Sequence, residues 1–407
     1  MSEWTMLHDA LINWLADGLT GASLWQMVVI GLLLTHVTAV SITVFLHRAQ
    51  AHRALELAAV PSHFFRLWLW LTSGMVTKEW VAIHRKHHAK CETVDDPHSP
   101  QVHGIKKVLL GGSELYRAEA KVTETLTKYG HNTPDDWLER NLYARYSWQG
   151  VGLMLVLNLG LFGIAGLALW AWQMLWSPVH AAGIINGLGH WWGYRNFEVA
   201  DASTNVSPWR ILIAGEELHN NHHTYPTSAK LSVKPFEFDI GWMYIRLLEM
   251  AGWAKVRKTV PTLKLGAVKP QADGKTLEAL IANRYEVMAK YAKEMRGACA
   301  SELERLKAQG SASAARLADL HVAKHWLHRD EDKIPVALRP RMAQALAHSP
   351  ALATLVAMRE ELRQLWTRTN LSAEQLVAEL QAWCHRAEAS GIAALQEFSL
   401  KLRAAHA

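Results

Sequence analysis

Three short histidine-rich stretches stand out chemically: HRAQAH with His47 and His52, HRKHH with His84, His87 and His88, and HNNHH with His219, His222 and His223. In the second and third, positions i, i+3 and i+4 share one helical face, so their imidazoles converge on a metal without distortion. His47 and His52 are five residues apart, roughly 140° around an ideal helix, and meet only if the helix ends or bends there. Asn186 and His190, four apart, set an amide beside a further imidazole. The set comprises nine histidines, with Asn186 joining directly or through a water. No single ion takes nine imidazoles, so two ions are implied, and imidazole alone suits Zn, Cu, Fe or Ni about equally.

Nine neutral ligands leave the charge of two divalent ions uncompensated. Carboxylates on the outer imidazole nitrogens are the usual remedy, and Glu79, Asp95, Asp96, Glu216 and Glu217 stand nearby in the sequence. Cys91, one turn past His88, reads as a bystander thiol. Histidines cluster by chance in a chain with 22 of them, yet three spaced boxes brought to one face outweigh that explanation.

The apolar segments that must position these boxes fall between them. Gly21 to Leu46 carries no acidic or basic side chain except His36. At about 26 residues, roughly 39 Å as a helix, it is long enough to cross a bilayer with some tilt. One span is therefore expected near 22–46, with His36 facing the bundle. The stretch near 57–77 is too short for two crossings, and a single crossing would separate the first two boxes, so it is expected to lie in the interface. Residues 91–148 are polar and turn-rich and read as a soluble cap. Residues 149–190, broken near Gly163 and Gly166, have the length of a two-span hairpin, near 149–168 and 170–190. Such a hairpin returns the third box to the face of the first two. Residues 238–253 mix Trp and Leu with Asp239, Arg246 and Glu249, as an interfacial helix does, and residues 4–20 form another amphipathic candidate. Composition shifts at a linker over 266–275. The charged, Ala-rich remainder, 276–407, predicts helices near 276–307, 312–327, 336–347, 351–367, 372–388 and 391–404. The fold class is all-α: a multi-pass membrane helical bundle over 1–265 with a cytoplasmic helical cap carrying the metal site, then a C-terminal soluble helical region.

Composition agrees with this layout. Half of the residues are hydrophobic and 19 are Trp, which suits a large surface at a membrane interface. A formal charge of +6 raises nucleic acid as a partner. However, the cations near the boxes flank apolar segments, as cytoplasmic loops require, so membrane lipid is the expected partner and nucleic acid is not. Three cysteines without a CxxC pair predict a reducing compartment with neither disulfides nor a zinc ribbon. Asp9 and Asp17 stand where a signal peptide has a basic region, and no cleaved targeting segment is expected.

These residues resemble the membrane fatty acyl desaturases, specifically the acyl-CoA delta-9 (stearoyl-CoA) type, over residues 22 to about 258. The matching elements are HRAQAH, EWVAIHRKHHAKCETVDDPH, NGLGHWWGYR, the NVSP run at Asn205 to Pro208, and GEELHNNHHTYP. The resemblance implies two Fe held by the nine histidines, with Asn186 on a bound water, and cytoplasmic chemistry. It also implies a hydrophobic tunnel for the acyl chain and a basic entrance for its carrier, for which Arg85, Lys86, Lys90, Lys106 and Lys107 are candidates. The expected reaction introduces a cis delta-9 double bond into a saturated acyl-CoA, using O2, in unsaturated fatty acid biosynthesis. The HPGG haem motif of fused cytochrome b5 domains is absent, so electrons are expected from a separate ferredoxin, rubredoxin, or cytochrome b5 with its reductase.

Two departures from the family pattern are visible. Ala182 and Gly183 stand where mammalian-type enzymes line the tunnel with a Thr-Trp pair, and one good span plus one amphipathic candidate precede the first box in place of two spans. The rival readings are an acyl-lipid (phospholipid) desaturase and a di-iron alkane or fatty-acid hydroxylase. From another class, a non-catalytic membrane metal-binding protein would need ionisable residues inside the spans, which hold almost none beyond His36 and His180.

Overall fold

The structure, a computed structural model, describes residues 3–208, 213–309, 313–330, 333–368 and 370–406. The chain is mostly helical and divides into two units, Met1–Val260 and Pro261–Ala407.

In the first unit, α1 (Glu3–Asp17) precedes α2 (Leu24–Ser41), whose start is closed by a capping box between Ser23 and Gln26. The helix does not stop at Ser41 but continues as a π-helix over Ile42–Ala51. Leu24–Ala51 is, among the described residues, the one helix long and apolar enough to cross a membrane by length and composition. His36 within it meets the Tyr244 hydroxyl at 2.9 Å and lies apart from the other boxes. Past the helix, β1 (Leu55–Leu57) pairs antiparallel with β2 (Ala254–Val256), tying the exit of the first box to the end of the unit.

The stretch expected in the interface is α3 (Ala59–Thr72), followed by α4 (Thr77–Lys90), which carries the second box. Three helices make up much of the polar region: α5 (Pro100–His103), α6 (Ile105–Glu119) and α7 (Thr123–Tyr129). A short π-helix at Glu139–Tyr143 follows. Buried Arg66 on α3 binds Asp136 (2.6 and 2.8 Å) and Glu139 (2.9 Å), anchoring this region.

The expected hairpin is α8 (Ser147–Phe162) and α9 (Ala165–Ser177). The first arm ends at Phe162, short of the expected 168, because Gly163 takes a φ of 62° that glycine alone adopts freely. The second arm runs on past Ser177 as a π-helix over Pro178–Leu188. This π segment packs on α6 through small residues: a Cβ on Gly112 would lie 2.6 Å from the Ala182 carbonyl oxygen, and one on Gly183 2.8 Å from that of Leu109. The third box forms α10 (His219–Thr224), and α11 (Ile240–Met250) precedes β2.

The core of this unit gathers Val44, Phe45, Leu46, Phe65, Leu69 and Ile245, each contributing about 1.5–3 kcal/mol by leaving water. At its centre Arg48 is 1 % exposed. It donates to both Asp239 oxygens (2.9 and 3.0 Å) and to the carbonyls of Ala229 and Ala214. With these bonds Arg48 clamps the first box to the segments on both sides of the third, Ala214 before it and Ala229 and Asp239 after it.

The second unit has its own core. It comprises β3 (Lys264–Leu265), α12 (Gly274–Ala282), α13 (Arg284–Gln309), α14 (Ala314–Trp326), α15 (Arg339–Ala347), α16 (Pro350–Leu365), α17 (Ala373–Ala389), α18 (Ala393–Arg403) and β4 (Ala405–His406), which pairs with β3. Position 312, where one helix was expected to start, lies outside the described residues. Ser372 and Gln375 form the capping box of α17. Tyr291, Trp383 and Phe398 pack together in the interior, and the two polar tips donate to the carbonyls of Leu355 (2.9 Å) and Met358 (2.8 Å).

Candidate metal centre

The π-helix resolves the awkward spacing of the first box. A hydrogen bond from the His52 N–H to the His47 carbonyl (3.0 Å) closes a five-residue turn. Residues five apart in such a turn come onto one face, which an α-helix does not permit. On α4, Trp80 stacks against His84 with ring centroids 4.9 Å apart, and His98 stacks against His87 at 4.4 Å, fixing two of the rings from outside.

The nine histidines form two clusters. His47, His52, His84, His88 and His222 make one, and His87, His190, His219 and His223 the other; within each cluster the ligand atoms lie within 4.8 Å of one another. Several Nε2 atoms face each other directly: His47 and His222 at 3.0 Å, His52 and His84 at 2.8 Å, His87 and His190 at 3.1 Å, and His190 and His219 at 3.0 Å.

Outside these rings, carboxylates meet the Nδ1 atoms. Glu216 faces His47 at 2.8 Å, Asp96 faces His87 at 3.0 Å, Glu92 faces His190 at 3.2 Å, and Asp201 faces His223 at 3.1 Å. Each bond fixes the tautomer with the proton on Nδ1 and turns the Nε2 lone pair inward. Lone pairs converging at hydrogen-bond distance repel unless a cation lies between them, so the donor set fits a divalent ion in each cluster.

Burial lowers the pKa of His52, His84, His88, His219, His222 and His223 well below the ordinary histidine value, and neighbouring imidazoles lower it further. His190 is lowered as well, by burial first, with Glu92 opposing. Neutral rings are the ligating form. Burial opposes the charge of Glu216, yet His47, Arg48 and Thr43 bring its pKa below the usual carboxylate range.

The residues singled out by spacing fall in different places. Glu79 lines a cavity and has no hydrogen bond to a histidine, Asp95 is exposed beside Lys90 (3.4 Å), and Glu217 accepts the N–H groups of Ile213 and Gly215. Glu92 and Asp201 were not singled out. Glu92 lies within the CETVDDPH stretch, where its backbone takes a left-handed φ of 61°, while Asp201 has no spacing relation to any box and is brought in only by the fold. Cys91 Sγ lies 4.0 Å from His87 Nε2 and His190 Nδ1, and burial raises its pKa strongly, so it stays a neutral thiol.

A cavity of about 610 Å3 reaches the histidines, a size typical of sites that enclose a small ligand. Ala39, Met75, Val151, Trp170 and Met174 line it with apolar surface, and His47, His84, His219, Asn186 and Ala182 also contribute. Gly183 instead packs against Leu109, leaving no room for a tryptophan there. The five cations expected to meet a carrier do not line this cavity. Arg85 donates to the carbonyls of Gln50, Ala51, Tyr129 and His131, Lys86 binds Glu119, Lys90 binds Asp95, Lys107 binds Glu114, and Lys106 is exposed. The cations that do line it are Arg117 and Lys121, both exposed.

Comparison with known proteins places this geometry among relatives. The family model described as fatty acid desaturase matches residues 23–232. The chain is 30% identical over 236 residues to Delta-9 acyl-lipid desaturase 1 of Arabidopsis thaliana, covering 56% of this chain and 74% of that protein. It is 29% identical to an sn-1 stearoyl-lipid 9-desaturase of Anabaena variabilis, covering 56% and 83%. To an sn-2 palmitoyl-lipid 9-desaturase of a Nostoc species it is 30% identical, covering 61% and 84%. A second family model, described as transposase, matches residues 270–407, within the C-terminal unit. Among the described residues, the groups of His, Cys, Asp and Glu close enough to hold a metal all lie between His47 and His223.

Proposed function

Since the chain belongs to the fatty acid desaturase family and is thereby an oxidoreductase, we propose that it is a membrane-bound, O2-dependent, di-iron delta-9 desaturase of saturated acyl chains. The observation that carries this reading is the meeting of two all-histidine clusters with the wall of one apolar cavity. Two irons held there, with O2 and two electrons from a separate donor protein, supply the oxidant that an unactivated methylene pair demands. The balance is one CH2–CH2, one O2, two electrons and two protons giving one CH=CH and two waters.

The chain's own residues supply position. An alkyl chain has no polar handle, so the cavity walls must bring one methylene pair to the clusters. Glu216, Asp96, Glu92 and Asp201 keep the imidazoles oriented, and Asn186, on the cavity wall, offers an amide for a water beside the clusters. The carrier we favour is a membrane glycerolipid rather than CoA. The named relatives support this choice, since each is an acyl-lipid or lipid 9-desaturase by name. Exposed Leu24, Trp25, Leu33, Val156, Leu161 and Leu175 on α2, α8 and α9 support immersion of these helices in a bilayer, with the histidines at its cytoplasmic face.

The test is expression of the full chain in a host with a supplied electron donor, followed by mass spectrometry of its fatty acids, beside His84→Ala and His222→Ala. A new cis delta-9 product that both variants lose is the expected result. Hydroxylated products would move the assignment to a hydroxylase, and an unchanged profile with iron bound would move it to a non-catalytic metal protein. Feeding labelled acyl-CoA or labelled phospholipid to membranes then separates the two carriers.

A further inference from the structure

The third box carries two asparagines between its histidines, and no metal-ligating role uses them. Both are buried. The Asn220 carboxamide makes three bonds to one backbone stretch: it accepts the N–H groups of Asn196 (2.9 Å) and Phe197 (3.0 Å) and donates to the Phe197 carbonyl (3.0 Å). The Asn221 oxygen accepts from the amides of Asn196 (2.8 Å) and Asn205 (3.1 Å), and its nitrogen donates to the Leu231 carbonyl (3.0 Å) and to Glu237 (2.8 Å). Tyr194 and Asn205 pair backbone to backbone, so the residues between them form a closed loop after His190. The third box grips that loop near both of its ends.

Glu237 joins the two sides of this network. One of its oxygens accepts from the Tyr194 hydroxyl (2.9 Å) and the Asn196 amide (2.6 Å). The other accepts from the Asn221 amide (2.8 Å) and from the N–H groups of Val233 (2.7 Å) and Lys234 (2.9 Å). Each partner donates, a demand that an acceptor-only carboxylate meets and an amide does not. A buried polar network satisfied in this way holds a single geometry.

The loop carries two groups that reach the metal centre. Asp201 Oδ2 meets His223 Nδ1 at 3.1 Å. The Ala202 N–H donates at 2.7 Å to Glu92 Oε1, the same oxygen that faces His190 Nδ1. His190 and His223 belong to one cluster, with His87 and His219. In the other cluster the carboxylate on His47 is Glu216, which bonds Thr43 of the first helix instead. Resting on the two-metal reading above, we propose that Glu237, with Asn220 and Asn221, is a positioning residue for one of the two metals. It holds the loop so that Asp201 and Glu92 orient His223 and His190, and releasing the loop loosens the ion of that cluster. The other cluster takes His222 from α10 but keeps His47, His52, His84 and His88 from outside the network.

The test compares the full chain with Glu237→Gln, Asn196→Ala and Asp201→Ala, each loaded with iron in detergent. Iron per chain is followed against a graded chelator, and the oxidised proteins are examined by electron paramagnetic resonance. Glu237→Gln keeps the shape of the side chain but turns an N–H pair toward groups that themselves donate. Wild type is expected to hold two irons. Each variant is expected to release one iron at about ten- to a hundredfold lower chelator concentration, the usual effect of losing outer support for a ligand. The second iron is expected to stay at wild-type affinity and to give the resonance of an isolated ferric ion. Asn196→Ala, which cuts two bonds of the network and leaves Glu237 in place, decides the matter where Glu237→Gln does not fold. Release of both irons together, or wild-type retention of both in folded Glu237→Gln and Asn196→Ala, would overturn the proposal. Fewer than two irons in wild type would instead sink the two-metal reading itself.

Discussion

At the scale of single residues, the site depends on which nitrogen of each imidazole carries the proton. Glu216 decides this for His47 across a contact of 2.8 Å in which both residues are buried. Glu216→Ala is expected to weaken metal affinity ten- to a hundredfold, the usual effect of losing such a carboxylate, measured as iron retained after dialysis against a graded chelator. The neutral rings also make the metal-free protein sensitive to acid. Their pKa values are lowered in the folded state, so below the unfolded value near 6.5 the unfolded chain binds more protons. Stability of the iron-free protein is therefore full above about pH 6.5 and falls as the pH drops below it. Melting temperatures between pH 8 and 5 check this, and a flat profile would contradict it.

At the scale of elements, two π-helices and one buried ion pair do what α-helical spacing does not. The π-turn brings His47 and His52 to one face, a geometry that five-residue spacing predicted only as a bend of unknown kind. Arg48 beside His47 holds that turn to Asp239, so the first box cannot drift from the third. Asp239→Asn leaves the guanidinium buried and uncompensated, and a loss of about 3–5 kcal/mol is expected, read by thermal unfolding in detergent with iron content followed in parallel. The contact of α6 with the π-helix over Pro178–Leu188 is equally tight. Gly112→Ala is expected to destabilise by about 1–3 kcal/mol, because its methyl group meets a backbone carbonyl that cannot turn aside.

At the scale of the whole molecule, every histidine of the two clusters precedes residue 224, and the compact unit that contains them closes at Val260. A chain ending at Val260 is expected to bind as much iron as the full chain, measured by metal analysis. A shortfall would assign the C-terminal unit a part in building the site. That unit's core, centred on Trp383, Tyr291 and Phe398, owes nothing to the histidines.

The sequence by itself singled out the nine histidines that the structure gathers into two clusters, and for six of them the i, i+3 and i+4 spacing announces a shared helical face without any knowledge of neighbours. It also determined the apolar helix ahead of the first box and the helical character of the C-terminal region. Which histidine joins which cluster was decided only by the tertiary structure: His87 and His88, adjacent in sequence and about 100° apart around α4, fall in different clusters because different partner histidines pack against each. The fold alone also brought Glu92 and Asp201 to His190 and His223, and gave Arg85 to four backbone carbonyls. Spacing reports directions along one helix; contacts between groups a hundred residues apart depend on how helices pack, and no local pattern encodes them.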